Sequence, residues 1–311
     1  MDVAPLIDPD IVPLLAPFAE RRVAADTLAQ LRAQPLVPPP QLSNDVDRVD
    51  HVVPGSDGAP DVIVRVHRPK GFDGLLPCVY GIHGGGYMMG SYTGDDARFD
   101  GWCPQLRCAG VAVEYRLAPE TAYPGPLEDC YTALAWVHQH ADELGVDRGR
   151  IGIMGGSAGG GLAAGLALLA RDRGGPPIDF QLLIYPMIDD RQITASSRAE
   201  TPIWNPAANE FGWRSYLGDL YGSDEVPPYA AASRATDLAG LPPAYVMVGT
   251  ADGFHDEDVE YALRLNRAGV PAELHVYAGA PHGFDSLLTG APIAQRARRA
   301  MNEWLERRLH P

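Results

Sequence analysis

Residues 151–161 read IGIMGGSAGGG. A short apolar run ends at Met154, Gly155, Ser157 and Gly159 form G-x-S-x-G, and small and apolar residues then continue at helical spacing. The stretch predicts a strand over Ile151 to Met154, a helix over Ala158 to Arg171 and a very sharp turn between them. A serine at the tip of such a turn takes strained backbone angles, and side chains two positions either way would collide, hence glycine at both. The turn also sets Ser157 at a helix N-terminus, where free N–H groups and the helix dipole favour negative charge. A glycine-rich dinucleotide loop is the rival reading, because Gly159, Gly161 and Ala164 match G-x-G-x-x-A and Asp179 lies twenty residues on. A ribose-binding acid should end the next strand, however, and Asp179 precedes it.

Outward from this turn, short β-rich runs alternate with longer helical patterns from about residue 60, the signature of βαβ units. Strands are predicted at Val62 to Val66, Pro77 to Ile82, Val111 to Glu114, Ile151 to Met154, Phe180 to Tyr185, Tyr245 to Val248 and Glu273 to Tyr277. Helices are predicted at Ala97 to Ala109, Leu127 to Leu144, Ala158 to Arg171, Asp256 to Ala268 and Ala294 to Arg308. The fold class is therefore α/β, a mostly parallel central sheet with helices on both faces. Two segments stand apart. Residues 1–45 carry one apolar helical pattern and then a stiff Pro35 to Pro40 linker. Residues 187–233 lack a strand pattern and collect Trp204, Phe211, Trp213, Tyr216 and Tyr221. The expected organisation is a core of residues 46–186 and 234–311, with 1–45 and 187–233 as a helical cap over a site at the sheet.

A second glycine-rich segment, IHGGGYMMG, follows the predicted strand Pro77 to Ile82. Successive glycines after His83 let backbone N–H groups face a cavity unobstructed, which is how an oxyanion is held. Gly84, Gly85 and the N–H of Ala158 are the expected donors.

The chain carries HGGG, YRLAPE (115–120), YP (123–124), LED (127–129), GGSAGG and a late HGF, in that order. Together these resemble the bacterial hormone-sensitive-lipase-like esterases of the α/β-hydrolase superfamily, over roughly residues 60 to 290. One departure is Gly156, where the family usually has Asp. The resemblance implies an α/β-hydrolase fold, hydrolysis of carboxylic esters with short to medium acyl chains, a cap of the N-terminal segment and the insertion, and no metal or organic cofactor.

A serine hydroxyl becomes nucleophilic only when a base takes its proton and a third group holds that base in the right tautomer. In this fold the order is Ser, acid, His, which leaves His255, His275, His282 and His310. His275 falls in a predicted strand, His310 at the terminus and His255 at a helix start beside the acids, so His282 in GAPHGF remains, and the resemblance selects it too. After the strand Tyr245 to Val248 the sequence offers Asp252, Asp256, Glu257 and Asp258. The family pattern D-P-L-x-D-E aligns Asp252 with the acid, with Gly253 in place of proline, whereas Asp256 better caps or opens the next helix. Tyr87, Trp204, Phe211, Phe254 and Phe284 are expected to line the substrate pocket. Amide or formamide hydrolysis by the same residues, or a non-catalytic small-molecule receptor on the same fold, are the alternatives.

Composition is ordinary for a globular chain: 311 residues, 46% hydrophobic and 21% charged. A formal charge of −15 repels phosphate backbones and anionic lipid, so neither nucleic acid nor membrane insertion is expected, and a neutral small-molecule ester suits the field better. The opening MDVAPLIDPD lacks a basic n-region and apolar core, so no export signal is read. Cys78, Cys103, Cys108 and Cys130 show no CxxC spacing and read as buried thiols, consistent with a cytoplasmic setting. Analogy with relatives implies a homodimer through the last strand and helix.

Overall fold

The structure is a computed structural model that describes residues 3–19, 21–34 and 41–311. Its centre is an eight-stranded sheet: β1 (Val46–Val53), β2 (Val62–Pro69), β3 (Leu76–Ile82), β4 (Ala109–Glu114), β5 (Val146–Gly156), β6 (Gln181–Ile184), β7 (Ala244–Ala251) and β8 (Ala272–Pro281), in the order β1-β2-β4-β3-β5-β6-β7-β8. β1 and β2 pair antiparallel, as do β2 and β4. From β4 through β3 to β8 every pairing is parallel. The expected mostly parallel α/β architecture is therefore present, and its core strands are apolar runs because helices cover both faces.

The helices are α1 (Leu28–Ala33), α2 (Asp96–Leu106), α3 (Gly125–Gln139), α4 (Ala158–Arg173), α5 (Pro206–Leu217), α6 (His255–Arg267), α7 (Phe284–Leu287) and α8 (Pro292–Leu309). Strand alternation sorts the core into two layers. Tyr80, Ile82 and Val246 pack with Leu134, Leu166 and Leu265 of α3, α4 and α6. Val79, Tyr245 and Met247 face the other way, onto Phe99 and Trp102 of α2 and Met301 and Trp304 of α8. Cys78, Cys103, Cys108 and Cys130 are buried and in no disulfide. Among the described residues no helix is long and apolar enough to cross a membrane.

Four differences from the sequence reading have local causes. β1 was not expected: it is an edge strand with only Val46 and Val53 buried, and VDRVDHVV carries no clean alternation. The helix expected to reach Ala109 stops at Leu106, where Arg107 turns left-handed (φ 47°), and the apolar Cys108 and Ala109 lead into β4 instead. Likewise α3 stops at Gln139 rather than Leu144. The apolar pattern near the N-terminus does not make one helix, because Pro5, Pro9, Pro13 and Pro17 remove N–H donors every four residues. The chain forms 3-10 turns at Ala4–Leu6 and Val12–Phe18 instead, followed by the short α1. The Pro35 to Pro40 linker lies outside the described residues.

Residues 187–233 contain α5, whose N-terminus is capped by Asn205 Oδ1 accepting from Ala208 N–H at 2.9 Å. Trp213 and Tyr216 of α5 are fully buried, with Tyr216 stacked on Tyr87 (ring centroids 4.0 Å). The two ends of the segment meet: Ser233 N–H donates to Ile188 O at 3.1 Å, and just past it Arg234 grips buried Asp190 through two bonds of 2.7 and 2.8 Å.

Candidate active site

The turn after β5 has the strain its sequence implies. Ser157 takes φ 56°, ψ −123° between the end of β5 and the start of α4, a conformation that persists only when its surroundings enforce it. They do so through three backbone bonds: Ser157 N–H donates to Ile184 O (2.9 Å), and Ser157 O accepts from Met187 N–H (2.9 Å) and Gly161 N–H (3.0 Å). Both flanking glycines are obligatory. A Cβ on Gly155 would lie 2.1 Å from Gly159 O, and one on Gly159 would lie 2.0 Å from Ile82 O. At Gly156 the nearest neighbour of a Cβ is Tyr185 Cε2 at 3.7 Å. The departure from the usual Asp there consequently falls where a side chain has room.

Parallel strands deliver the remaining groups to the same carboxyl edge, where open α/β sheets bind ligands. Asp252 follows β7, His282 follows β8, and Gly84 and Gly85 follow β3. His282 Nε2 lies 2.9 Å from Ser157 Oγ, and His282 Nδ1 lies 2.8 Å from Asp252 Oδ2. Asp252 Oδ1 is occupied by Phe254 N–H at 3.0 Å. With a carboxylate on Nδ1, that nitrogen carries the proton and Nε2 offers its lone pair to the serine. All three side chains are nearly enclosed, Ser157 at 9%, His282 at 5% and Asp252 at 1% exposure.

Of the other acids weighed in the sequence, none reaches His282. Asp256 is the second residue of α6 and joins the helix to the insertion: its N–H donates to Ser196 Oγ and its Oδ2 accepts from Ser196 N–H, both at 3.0 Å. The helix end is thus capped by a serine from residues 187–233, a partner that no local pattern in the sequence announces. Glu257 and Asp258 are buried in the first turn of α6, and burial together with neighbouring acidic charge pushes both well above the usual carboxylate range.

Beside Ser157, Gly85 and Gly86 have φ of 122° and 62°, angles that favour glycine. Among the described residues the N–H groups of Gly84, Gly85 and Ala158 donate to no protein acceptor. His83 shapes this loop. Its Nδ1 donates to Gly84 O at 2.9 Å, its ring stacks on Tyr115 at 4.2 Å, and Tyr115 Oη donates to His83 O at 2.9 Å. Burial pushes the imidazole down to about 4, so it is neutral near pH 7.

The five aromatic residues expected at the pocket have different surroundings. Trp204 lies 6.3 Å from the His282 ring, centroid to centroid, and its Cη2 atom occupies the space 2.2 Å from where a Gly86 Cβ would sit. Phe254 meets His282 edge to face at 5.0 Å. Phe284 is fully buried behind Tyr185. Tyr87 is also fully buried and donates its hydroxyl to Met187 O at 2.7 Å. Phe211 is partly buried against the core.

Sequence reading missed a clasp on the oxyanion loop. Arg32 of α1 donates Nε to Met88 O and Nη2 to Ala118 O, each at 2.8 Å, and pairs with both Glu120 oxygens at 2.7 Å. That pairing holds Glu120 down to about 2. YRLAPE marked Glu120, but nothing local could name a partner 88 residues away.

Comparison with known proteins places this geometry. A family profile described as the alpha/beta hydrolase fold matches residues 79–286. Carboxylesterase NlhH of Mycobacterium tuberculosis is 37% identical over 311 residues, spanning 98% of this chain and 97% of its own. Esterase LipI of the same organism is 35% identical over 305 residues, spanning 95% and 93%. Among solved structures, a bacterial heroin esterase superposes with a TM-score of 0.91 at 38% identity, covering 99% of both chains, and esterase LipW from Mycobacterium marinum with 0.85 at 35%, covering 99% and 97%. The chain belongs to the hormone-sensitive-lipase-like esterases of the α/β-hydrolase superfamily, and it is a carboxylesterase.

Proposed function

We propose that this carboxylesterase works through a covalent acyl-enzyme, with Ser157 as nucleophile, His282 as general base and acid, and Asp252 orienting His282. The unbroken hydrogen-bond path from Ser157 Oγ through both imidazole nitrogens to Asp252 is the observation that carries the reading. Ser157 Oγ attacks the ester carbonyl while Nε2 takes its proton. The oxygen that becomes negative is held by the N–H groups of Gly84, Gly85 and Ala158. His282 then returns the proton to the leaving alkoxide, which departs as the alcohol. Water, deprotonated by His282, next attacks the acyl-serine and releases the acid.

The substrate is a neutral ester with a short to medium acyl chain. Trp204 closes down over the oxyanion loop at Gly86 and Phe254 abuts His282, so aromatic bulk supports a small acyl site. Residues 1–45 and 187–233 serve as the cap over it, supported by the Arg32 clasp and by the reciprocal Ser196–Asp256 bonds. Ser157→Ala tests the whole assignment. A folded variant should lose on the order of a millionfold in kcat, as in an analogous triad, and near-normal hydrolysis would overturn it. Matched ester and anilide substrates separate esterase from amidase, and the ester should turn over faster.

A further inference from the structure

Tyr185, which the mechanism above leaves unused, lies against His282 and directly follows the residue whose carbonyl accepts from Ser157 N–H. It is the first residue past β6 and sits in the left-handed region at φ 35°, uncommon for a bulky residue and a mark of a site where surroundings dictate conformation. The preceding carbonyl, Ile184 O, is the acceptor for Ser157 N–H. The phenol ring lies against the His282 ring, with centroids 4.8 Å apart at 63°. Its hydroxyl donates to Asp285 Oδ1 and lies 3.4 Å from Ser286 Oγ. Asp285 comes three residues after His282, as the second residue of α7, and its Oδ2 accepts from Arg98 Nη2 of α2 at 3.2 Å. Tyr185 is 4% exposed and Asp285 1%. Arg98 in turn lies over the Trp102 ring, 5.3 Å from its centroid.

We propose that Tyr185 is a positioning residue for His282, tethered through Asp285 to Arg98, that holds Nε2 in register with Ser157 Oγ. Asp252 fixes the tautomer and one edge of the imidazole. It does not fix the loop carrying the imidazole relative to the turn carrying the serine. The Tyr185–Asp285 bond does that, because one end hangs on the residue next to Ser157's own backbone acceptor and the other on α7, three residues past His282. Arg98 gives Asp285 Oδ2 a charged partner while Oδ1 accepts from the phenol, so both carboxyl oxygens are hydrogen-bonded in a buried site, where an unpaired polar group would be costly.

The proposal rests on His282 being the base, so His282→Asn is assayed in parallel. Tyr185→Phe keeps the ring and removes only the tether. With a butyrate ester, kcat should fall roughly ten- to a hundredfold, the scale of a misplacement near 1 Å, while KM stays within about twofold, because the tether contacts no substrate. Asp285→Asn should give a similar loss, and the double variant no more than the worse single, because the two act as one unit. Arg98→Lys should retain most of the activity that Arg98→Met loses. A folded Tyr185→Phe with kcat within twofold of the parent, or losses that multiply in the double variant, would overturn the proposal. Should Tyr185→Phe fail to fold, equal kcat for Arg98→Lys and Arg98→Met does so instead. An active His282→Asn would sink the triad reading itself, whereas an inactive one beside a fully active Tyr185→Phe sinks the tether alone.

Discussion

Replacing Asp252 by Asn removes charge while keeping shape, and the surrounding bonds dictate how the amide must turn. Oδ1 accepts from Phe254 N–H at 3.0 Å and Oδ2 from His282 Nδ1–H at 2.8 Å. An asparagine has one acceptor and one NH2 for these two donors. If its carbonyl stays on Phe254 N–H, the NH2 faces His282. If it turns over, a buried N–H is left facing a donor, a penalty of about 1–3 kcal/mol. The first orientation prevails, so Nδ1 must become the acceptor and the ring proton moves to Nε2, pointing at Ser157 where the base needs a lone pair. The expected loss is about ten-thousandfold in kcat, as for the equivalent change in a serine protease, or about 5 kcal/mol of barrier. Asp256→Asn keeps an acceptor for Ser196 N–H and its own N–H bond to Ser196 Oγ, and loses only a half-exposed pairing with His255. Its kcat should change less than about threefold, since such surface pairs contribute little. Both variants are measured on p-nitrophenyl butyrate after circular dichroism confirms the fold. An Asp252→Asn variant within tenfold of the parent, or an Asp256→Asn variant that is the inactive one, would refute the assignment of the acid.

Trp204→Ala should raise kcat/KM for octanoyl over butyryl esters by roughly tenfold, given about 1–3 kcal/mol for added methylenes finding room; an unchanged chain-length profile would place the acyl site elsewhere. Gly156→Asp should stay folded and active within about 1 kcal/mol, as its Cβ meets nothing closer than 3.7 Å, whereas Gly159→Ala, 2.0 Å from a carbonyl oxygen, should yield no folded active enzyme; expression and thermal melts decide. Burial holds neutral His83 down to about 4, below the ordinary 6.5, so the unfolded chain binds more protons between those values and this group's contribution to stability shrinks as pH falls from 6.5 toward 4. The difference in unfolding free energy between parent and His83→Asn, measured by urea denaturation, should therefore narrow across that window by about 3 kcal/mol at most; a pH-independent difference would contradict it.

Much of the fold was legible because its signals are local. The strand–Gly–Ser–Gly–helix turn declared itself in eleven residues, since only glycine fits where Gly155 and Gly159 pass other backbone. The parallel strands are continuous apolar runs, and Asp252 and His282 sit one loop beyond two of them. What escaped notice depends on distant partners or on one residue type overruling a pattern. β1 is half solvated and polar, and is a strand because β2 pairs with it. The N-terminal apolar periodicity is helical in spacing yet carries a proline at every fourth position. Arg32 with Glu120, Ser196 with Asp256 and Arg98 with Asp285 are bonds across 60 to 187 residues, and no spacing rule brings such pairs together.

The central claim, that Ser157 is uniquely activated by His282, is tested most directly by mapping a covalent phosphonate adduct. An alkyl fluorophosphonate incubated with the native enzyme should attach once per chain, with the added mass on the peptide containing Ser157, in step with loss of esterase activity. Ordinary hydroxyls stay inert to such reagents, and His282→Asn should remain largely unlabelled under the same conditions. An adduct on another residue, or full esterase activity surviving stoichiometric modification of Ser157, would contradict the account.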